Sequence, residues 1–322
     1  MHHGCGPLNA IITTVLPVFG LIVVGYGLAR ANIIDAVAGR GITLFVFNVA
    51  IPAFLFRTVA TMAPQDGAPW ALWFAFFGGL ALAWIAAAIA SRFISSLNVS
   101  GGAAASMATG FGNLALLGTP LALAHFGPSI AVPLGMILSI HAPMLWTAAT
   151  LHRELSRHSS TFSIVDTAKT LGKMLVTNAI IPALLAGAIW RLTGLGLNIV
   201  PDKMLAMLAD SGVPTALVAL GVSLAAYNLR GSWGGMFALI GLKMLAMPFF
   251  VFLLARYAVT LPPLWIKVAV LFAAMPTGAN AFLFAQKNDE AVPAVSGAVA
   301  LGTGFAAITA SILLWLMDAG YI

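Results

Sequence analysis

"GFGNLALLGTP", Gly110 to Pro120, lies in the middle of a stretch otherwise apolar enough to cross a membrane. Glycine weakens a helix interior by about 1 kcal/mol and proline by about 3 kcal/mol, and hydrocarbon cannot satisfy the amide of an asparagine. Backbone released from helical hydrogen bonding is tolerated at membrane depth only where protein or water satisfies it. Gly110, Gly112, Gly118 and Pro120 therefore predict a spanning helix broken inside the protein. "AAMPTGANAFLF", from Ala273, repeats the pattern with Pro276 and Gly278. Glycines in membrane helices also serve close packing, but paired clusters of Gly, Pro and Asn favour paired breaks.

The rest of the chain supplies the membrane. Of 322 residues, 61% are hydrophobic and 7% charged, and the mean hydropathy is +1.02. These values exclude a soluble globular domain. The apolar runs are long enough to cross as helices rather than as the alternating short strands of a barrel. About ten are expected: 9–29, 41–59, 69–91, 101–123, 129–151, 174–193, 203–226, 233–255, 261–286 and 291–317. The fold class is all-α and polytopic. The net charge of +6 does not imply nucleic acid, and the single Cys5 leaves no disulfide framework and no metal cluster. Met1 to Pro7 reads as a short tail without the basic region or cleavage site of a signal peptide. No cofactor is expected.

The longest polar stretch, "HRELSRHSSTFSIVDTAKTLGK" from His152, divides the chain into 1–151, a connector at 152–173 and 174–322, with five helices on each side. The sides echo each other. "NAII" begins at Asn9 and again at Asn178, 169 residues on; "TGFGN" at Thr109 is echoed by "TGAN" at Thr277, 168 residues on. An odd helix count per copy places the copies in opposite orientations, the inverted-repeat plan of secondary transporters. With both termini outside, nine Lys and Arg fall in inner loops against five in outer ones. That asymmetry predicts periplasmic termini and a cytoplasmic connector in the cell inner membrane.

Two interrupted helices at matching places in inverted halves point to a substrate site near the midplane, where half-helix amino termini favour anions. Asn113 and Asn280 bring amides that can donate to a carboxylate. The backbone at Gly110, Gly112, Pro276, Thr277 and Gly278 completes the candidate site.

At these residues the chain resembles the auxin efflux carrier family, which includes plant auxin exporters and bacterial permeases for small carboxylates and is distantly related to the bile acid:sodium symporters. "FGNLALLGTPLALAHFG" from Phe111 is similar to the family's fourth-helix signature. "LADSGVPTALVALGVSL" from Leu208, "AMPTGANAFLFAQKND" from Ala274 and "FNVAIPAFLF" from Phe47 resemble its seventh, ninth and second helices. The resemblance implies a scaffold of helices 1, 2, 6 and 7, a transport domain of helices 3–5 and 8–10, elevator-type alternating access and a homodimer. It makes Asn113 the substrate-contacting asparagine and Pro276 the crossover proline. The plant signature has proline before that asparagine where this chain has Gly112, so auxin itself does not follow.

Other polar residues inside spans are weighed individually. Lys243, in "LIGLKMLAMP", attracts the anion, pairs with unwound backbone of the ninth helix, or simply pins two helices through a carbonyl. His141, in "LSIHAPM", is a candidate for proton coupling or a neutral core histidine. Asp210 caps a half-helix beginning near Pro214 or binds a proton or cation. Asn48, beside Pro52, contacts substrate or stabilises a kink. "HRELSRH" lacks zinc-helix spacing, and Ser211 and Ser223 lack a nucleophile motif, so no enzyme is expected. The expected activity is secondary transport of small organic anions as a uniport or with protons. The alternatives are a sodium-coupled symporter and a non-transporting sensor or channel.

Overall fold

The computed structural model describes residues 7–63, 67–97, 102–156, 169, 172–173, 178–227 and 233–322, the side chains of 7–12 excepted. Cys5 and most of the connector, 157–168 included, lie outside the described residues.

The protein is an all-α polytopic membrane protein. Its helices are α1 (Pro7–Arg30), α2 (Ala36–Thr61), α3 (Pro69–Ser91), α4 (Ala103–Gly110), α5 (Leu114–Gly118 continuing as Thr119–Phe126) and α6 (Ala131–Ser156). There follow α7 (Ile180–Leu192), α8 (Ile199–Asp210), α9 (Gly212–Leu224), α10 (Trp233–Ala258), α11 (Pro263–Ala273), α12 (Ala279–Asn288) and α13 (Val292–Asp318). Among the described residues seven stretches are long and apolar enough to cross alone, and one of these, Leu114–Ser156, joins α5 to α6 through the tight turn Gly127–Ile130. With the shorter α7 and the halves α4/α5 and α11/α12, the described residues follow the ten expected spans in order.

Two compact units are present. The first comprises Met1–Gly67, Ala115–Ser139 and Leu175–Ala226. In it α1 packs on α9 so closely that a Cβ on Gly221 would strike the Ile22 carbonyl oxygen. A bidentate ion pair joins α2 to α8, with Arg57 donating to the two Asp202 oxygens at 2.7 and 3.0 Å. The second unit comprises Ala68–Leu114, Ile140–Met174 and Tyr227–Ile322. There Gly79 of α3 lets Val251 of α10 approach: a Cβ on the glycine would lie 2.7 Å from the Val251 nitrogen.

Proline inside a helix has no N–H to give and clashes with the carbonyl four residues earlier. Three mid-span prolines meet this problem in one way. Pro52, Pro120 and Pro248 each follow, by two residues, a five-residue π turn: Val46–Ala50, Leu114–Gly118 and Leu242–Ala246. The wider turn makes room for the ring without breaking the helix. For this reason Gly118 and Pro120, expected at the break of the fourth span, lie within continuous helix, and the break sits at 111–113. The break of the seventh span likewise falls at Ser211, before Pro214.

Pro143 inside α6 is handled differently. Its missing N–H leaves the Ser139 carbonyl, four residues earlier, without its helical donor. The Asn178 amide donates to that oxygen at 3.0 Å while its own oxygen accepts from the Ile180 N–H at 2.9 Å. Asn178→Ala leaves this part-buried carbonyl without its donor, and a stability loss of about 1–3 kcal/mol is expected. Thermal unfolding in detergent measures it; a melting temperature equal to wild type would mean that another donor takes over.

Candidate functional site: the crossing of two broken helices

The site is built in the second unit, where the two interruptions meet. α4 stops at Gly110, and Phe111 takes up an extended conformation (φ −83°, ψ 96°). α11 stops at Ala273 and α12 starts at Ala279 behind Gly278, also extended (φ −89°, ψ 160°). Gly112 and Thr277 face each other as an antiparallel bridge. The Asn113 N–H donates to the Pro276 carbonyl at 2.8 Å, and the Gly278 N–H donates to the Phe111 carbonyl at 2.8 Å. Each interruption thus satisfies the other's backbone, as membrane depth requires. The antiparallel sense fits copies of opposite orientation.

Space explains the glycines. A Cβ on Gly278 would lie 3.0 Å from the Gly112 carbonyl oxygen, and one on Gly112 would lie 3.1 Å from Lys243 Nζ. Gly110, the last residue of α4, is packed beneath Trp84, Leu80 and Leu145.

The two ends of the half-helices are treated unequally. At the carbonyl ends, where the helix dipole is negative, the protein supplies donors. Thr277 Oγ1 donates to the Ala108 carbonyl at 2.9 Å. Lys243 Nζ, fully buried, donates to the Ala273 carbonyl at 3.0 Å and lies 2.9 Å from Met247 Sδ. His141 sets its ring against Phe111, with centroids 4.6 Å apart. The His141 Nε2 is buried without a partner among the described residues, as is Thr109 Oγ1.

At the amino end of α12 no side chain among the described residues caps the helix. The N–H groups of Ala279 and Asn280 take no acceptor among the described residues. The Asn113 side chain, only 8% exposed, likewise makes no hydrogen bond among them. A buried amide and an uncapped, positively polarised helix end are donors held in readiness for an acceptor.

The structure therefore brings Gly110, Gly112, Asn113, Lys243, Pro276, Thr277, Gly278 and Asn280 to one crossing, with His141 against it. Asn48 and Asp210 belong to the first unit. Asn48 is exposed within its π turn, its amide spent on the Leu44 carbonyl at 2.9 Å. Asp210 is the exposed last residue of α8, and the cap expected of it at the next helix is not made among the described residues. The Ser211 hydroxyl bonds the Leu208 carbonyl of the preceding α8, and the Ser223 hydroxyl bonds the Leu220 carbonyl of its own helix. Phe111 and Met247 were not singled out by sequence: one acts through its carbonyl and ring, the other through a sulfur, and neither carries a polar signal. Among the described residues no cluster of three or more His, Cys, Asp or Glu could hold a metal ion.

Residues 10–314 match the family described as "Membrane transport protein", the family of the auxin efflux carriers. The chain belongs to this family. This carrier-family chain is also similar to a protein of Rhizobium meliloti (strain 1021) described as "Putative malonate transporter". The two are 24% identical over 306 residues, which is 95% of each. Family and relative both bear transporter descriptions, so the interrupted helices of this auxin efflux carrier family member stand in a chain of the transporting class.

Proposed function

We propose that this protein is a secondary transporter of small organic anions, carboxylates of about the size of malonate, which it binds at the crossing of α4/α5 and α11/α12. The observation that carries the proposal is the unequal treatment of the helix ends: carbonyl ends are capped by Thr277 and Lys243, whereas the α12 amino end and the Asn113 amide keep their donors. Donors without acceptors, one a buried amide and the others at a half-buried helix end, suit an anion rather than a cation. One carboxylate would accept from the Asn113 amide and the first N–H groups of α12, and Asn280 would close the polar wall. The description of the Rhizobium relative supports a carboxylate.

Alternating access would be of the elevator type. The first unit contains all four helices assigned to the scaffold, together with part of the fourth and fifth spans. The scaffold would form a homodimer, and the second unit would carry the substrate across. Transport would be uniport or proton-coupled, with His141 as the candidate proton carrier. The chain would sit in the inner membrane with both termini outside. Reconstituted in proteoliposomes, the protein is expected to take up labelled malonate saturably, with other small carboxylates competing. Binding of amines or neutral solutes in place of carboxylates would remove this reading.

A further inference from the structure

Lys243 is unusual among buried cations. Among the described residues no carboxylate pairs with it, although burial of a charge ordinarily demands one. Its partners are a neutral carbonyl oxygen, that of Ala273, and a thioether, that of Met247. Ala273 is the last residue of α11. The final carbonyls of a helix have no helical donor and carry the negative end of its dipole. In transporters with interrupted helices, carbonyl ends of this kind and the unwound backbone beside them coordinate the coupling sodium or proton.

Here the place is filled from within. The ammonium reaches the end of α11 and also lies against the extended segment of the other interruption, 3.1 Å from where a Gly112 Cβ would be. It arrives from the π turn Leu242–Ala246. The thioether completes the argument, because sodium is a hard cation that takes oxygen ligands, whereas an ammonium can donate to a sulfur.

We propose that the Lys243 ammonium is a built-in cation standing where a coupling sodium ion would bind at the carbonyl end of α11, so that this protein works without sodium. The proposal rests on the transporter reading above, but its test does not use transport. A lysine that merely pins two helices would be replaceable by any neutral donor of similar reach. A lysine that supplies charge would not, and its loss would leave a carbonyl-lined vacancy attractive to a small cation.

The experiment is thermal unfolding of the detergent-purified full chain, followed by tryptophan fluorescence, in sodium chloride and in choline chloride at equal ionic strength. Wild type and Lys243→Arg are expected to melt at the same temperature in both salts. Lys243→Ala and Lys243→Gln are expected to melt lower in choline and to recover several degrees in sodium alone, because a ligand bound only by the folded state stabilises it. Sodium-specific stabilisation of the wild type would overturn the proposal even if neither neutral variant folds. So would folded Lys243→Ala and Lys243→Gln proteins that respond alike to the two salts. Failure of carboxylate transport with this salt pattern intact would count against the substrate assignment alone.

Discussion

Asn113→Ala is expected to weaken carboxylate binding by about one to two orders of magnitude in a protein that remains folded. The side chain is buried, yet its amide makes no hydrogen bond among the described residues, so its removal costs the fold little. Its backbone N–H, which holds the Pro276 carbonyl at 2.8 Å, is unaffected by the substitution. A hydrogen bond to a charged acceptor contributes about 1.5–3 kcal/mol, which corresponds to roughly a 10- to 100-fold loss of affinity. Calorimetric titration of purified wild type and variant with malonate measures this, alongside their melting temperatures. Equal affinities would remove Asn113 from the site. A variant that fails to fold would show instead that the amide is structural.

Gly278→Val is expected to be the most damaging single change at the crossing. A Cβ there meets the Gly112 carbonyl oxygen at 3.0 Å, the Gly112 carbonyl carbon at 3.1 Å and the Phe111 ring at 3.2 Å. Backbone cannot swing aside as a flexible side chain can, so the two segments must separate. Separation stretches the Gly278 N–H to Phe111 and Asn113 N–H to Pro276 bonds in a buried place. Overpacking plus weakened buried hydrogen bonds should cost about 3 kcal/mol or more. Both melting temperature and uptake should fall, in the order Gly278, then Gly278→Ala, then Gly278→Val. Near-normal melting and uptake for Gly278→Val would mean that the crossing tolerates separation.

Much of this was legible in the sequence because membrane depth punishes polar backbone. Helix breakers in otherwise unbroken apolar runs announced the interruptions near Gly112 and Gly278, and the run lengths announced ten spans. The position of a break was less legible. Gly118 and Pro120 read as part of it with Gly110 and Gly112, but one extra residue in the π turn Leu114–Gly118 absorbs the proline, and no residue type marks such a turn. The same device hides beneath Pro52 and Pro248.

Partnerships across the chain were not legible at all. Asn178 read as part of a repeated tetrapeptide, whereas it satisfies a carbonyl that Pro143 leaves open 39 positions away. The freed carbonyl could be inferred from Pro143, but its donor could not. For Lys243 the sequence left three roles open, and the structure shows the bond to the Ala273 carbonyl. Asn48 and Asp210 attracted notice as polar residues within spans, yet both are exposed in the first unit, where neither is buried without a partner.

The most direct test of carboxylate transport by alternating access is counterflow. Proteoliposomes containing the protein are loaded with unlabelled malonate at high concentration and diluted into a trace of labelled malonate. A carrier that exposes one site alternately to each side exchanges inner for outer molecules, and the label is expected to rise transiently above its equilibrium level before declining. Monotonic filling to equilibrium in loaded and empty vesicles alike would indicate a channel, and label no higher than in protein-free vesicles would contradict malonate carriage.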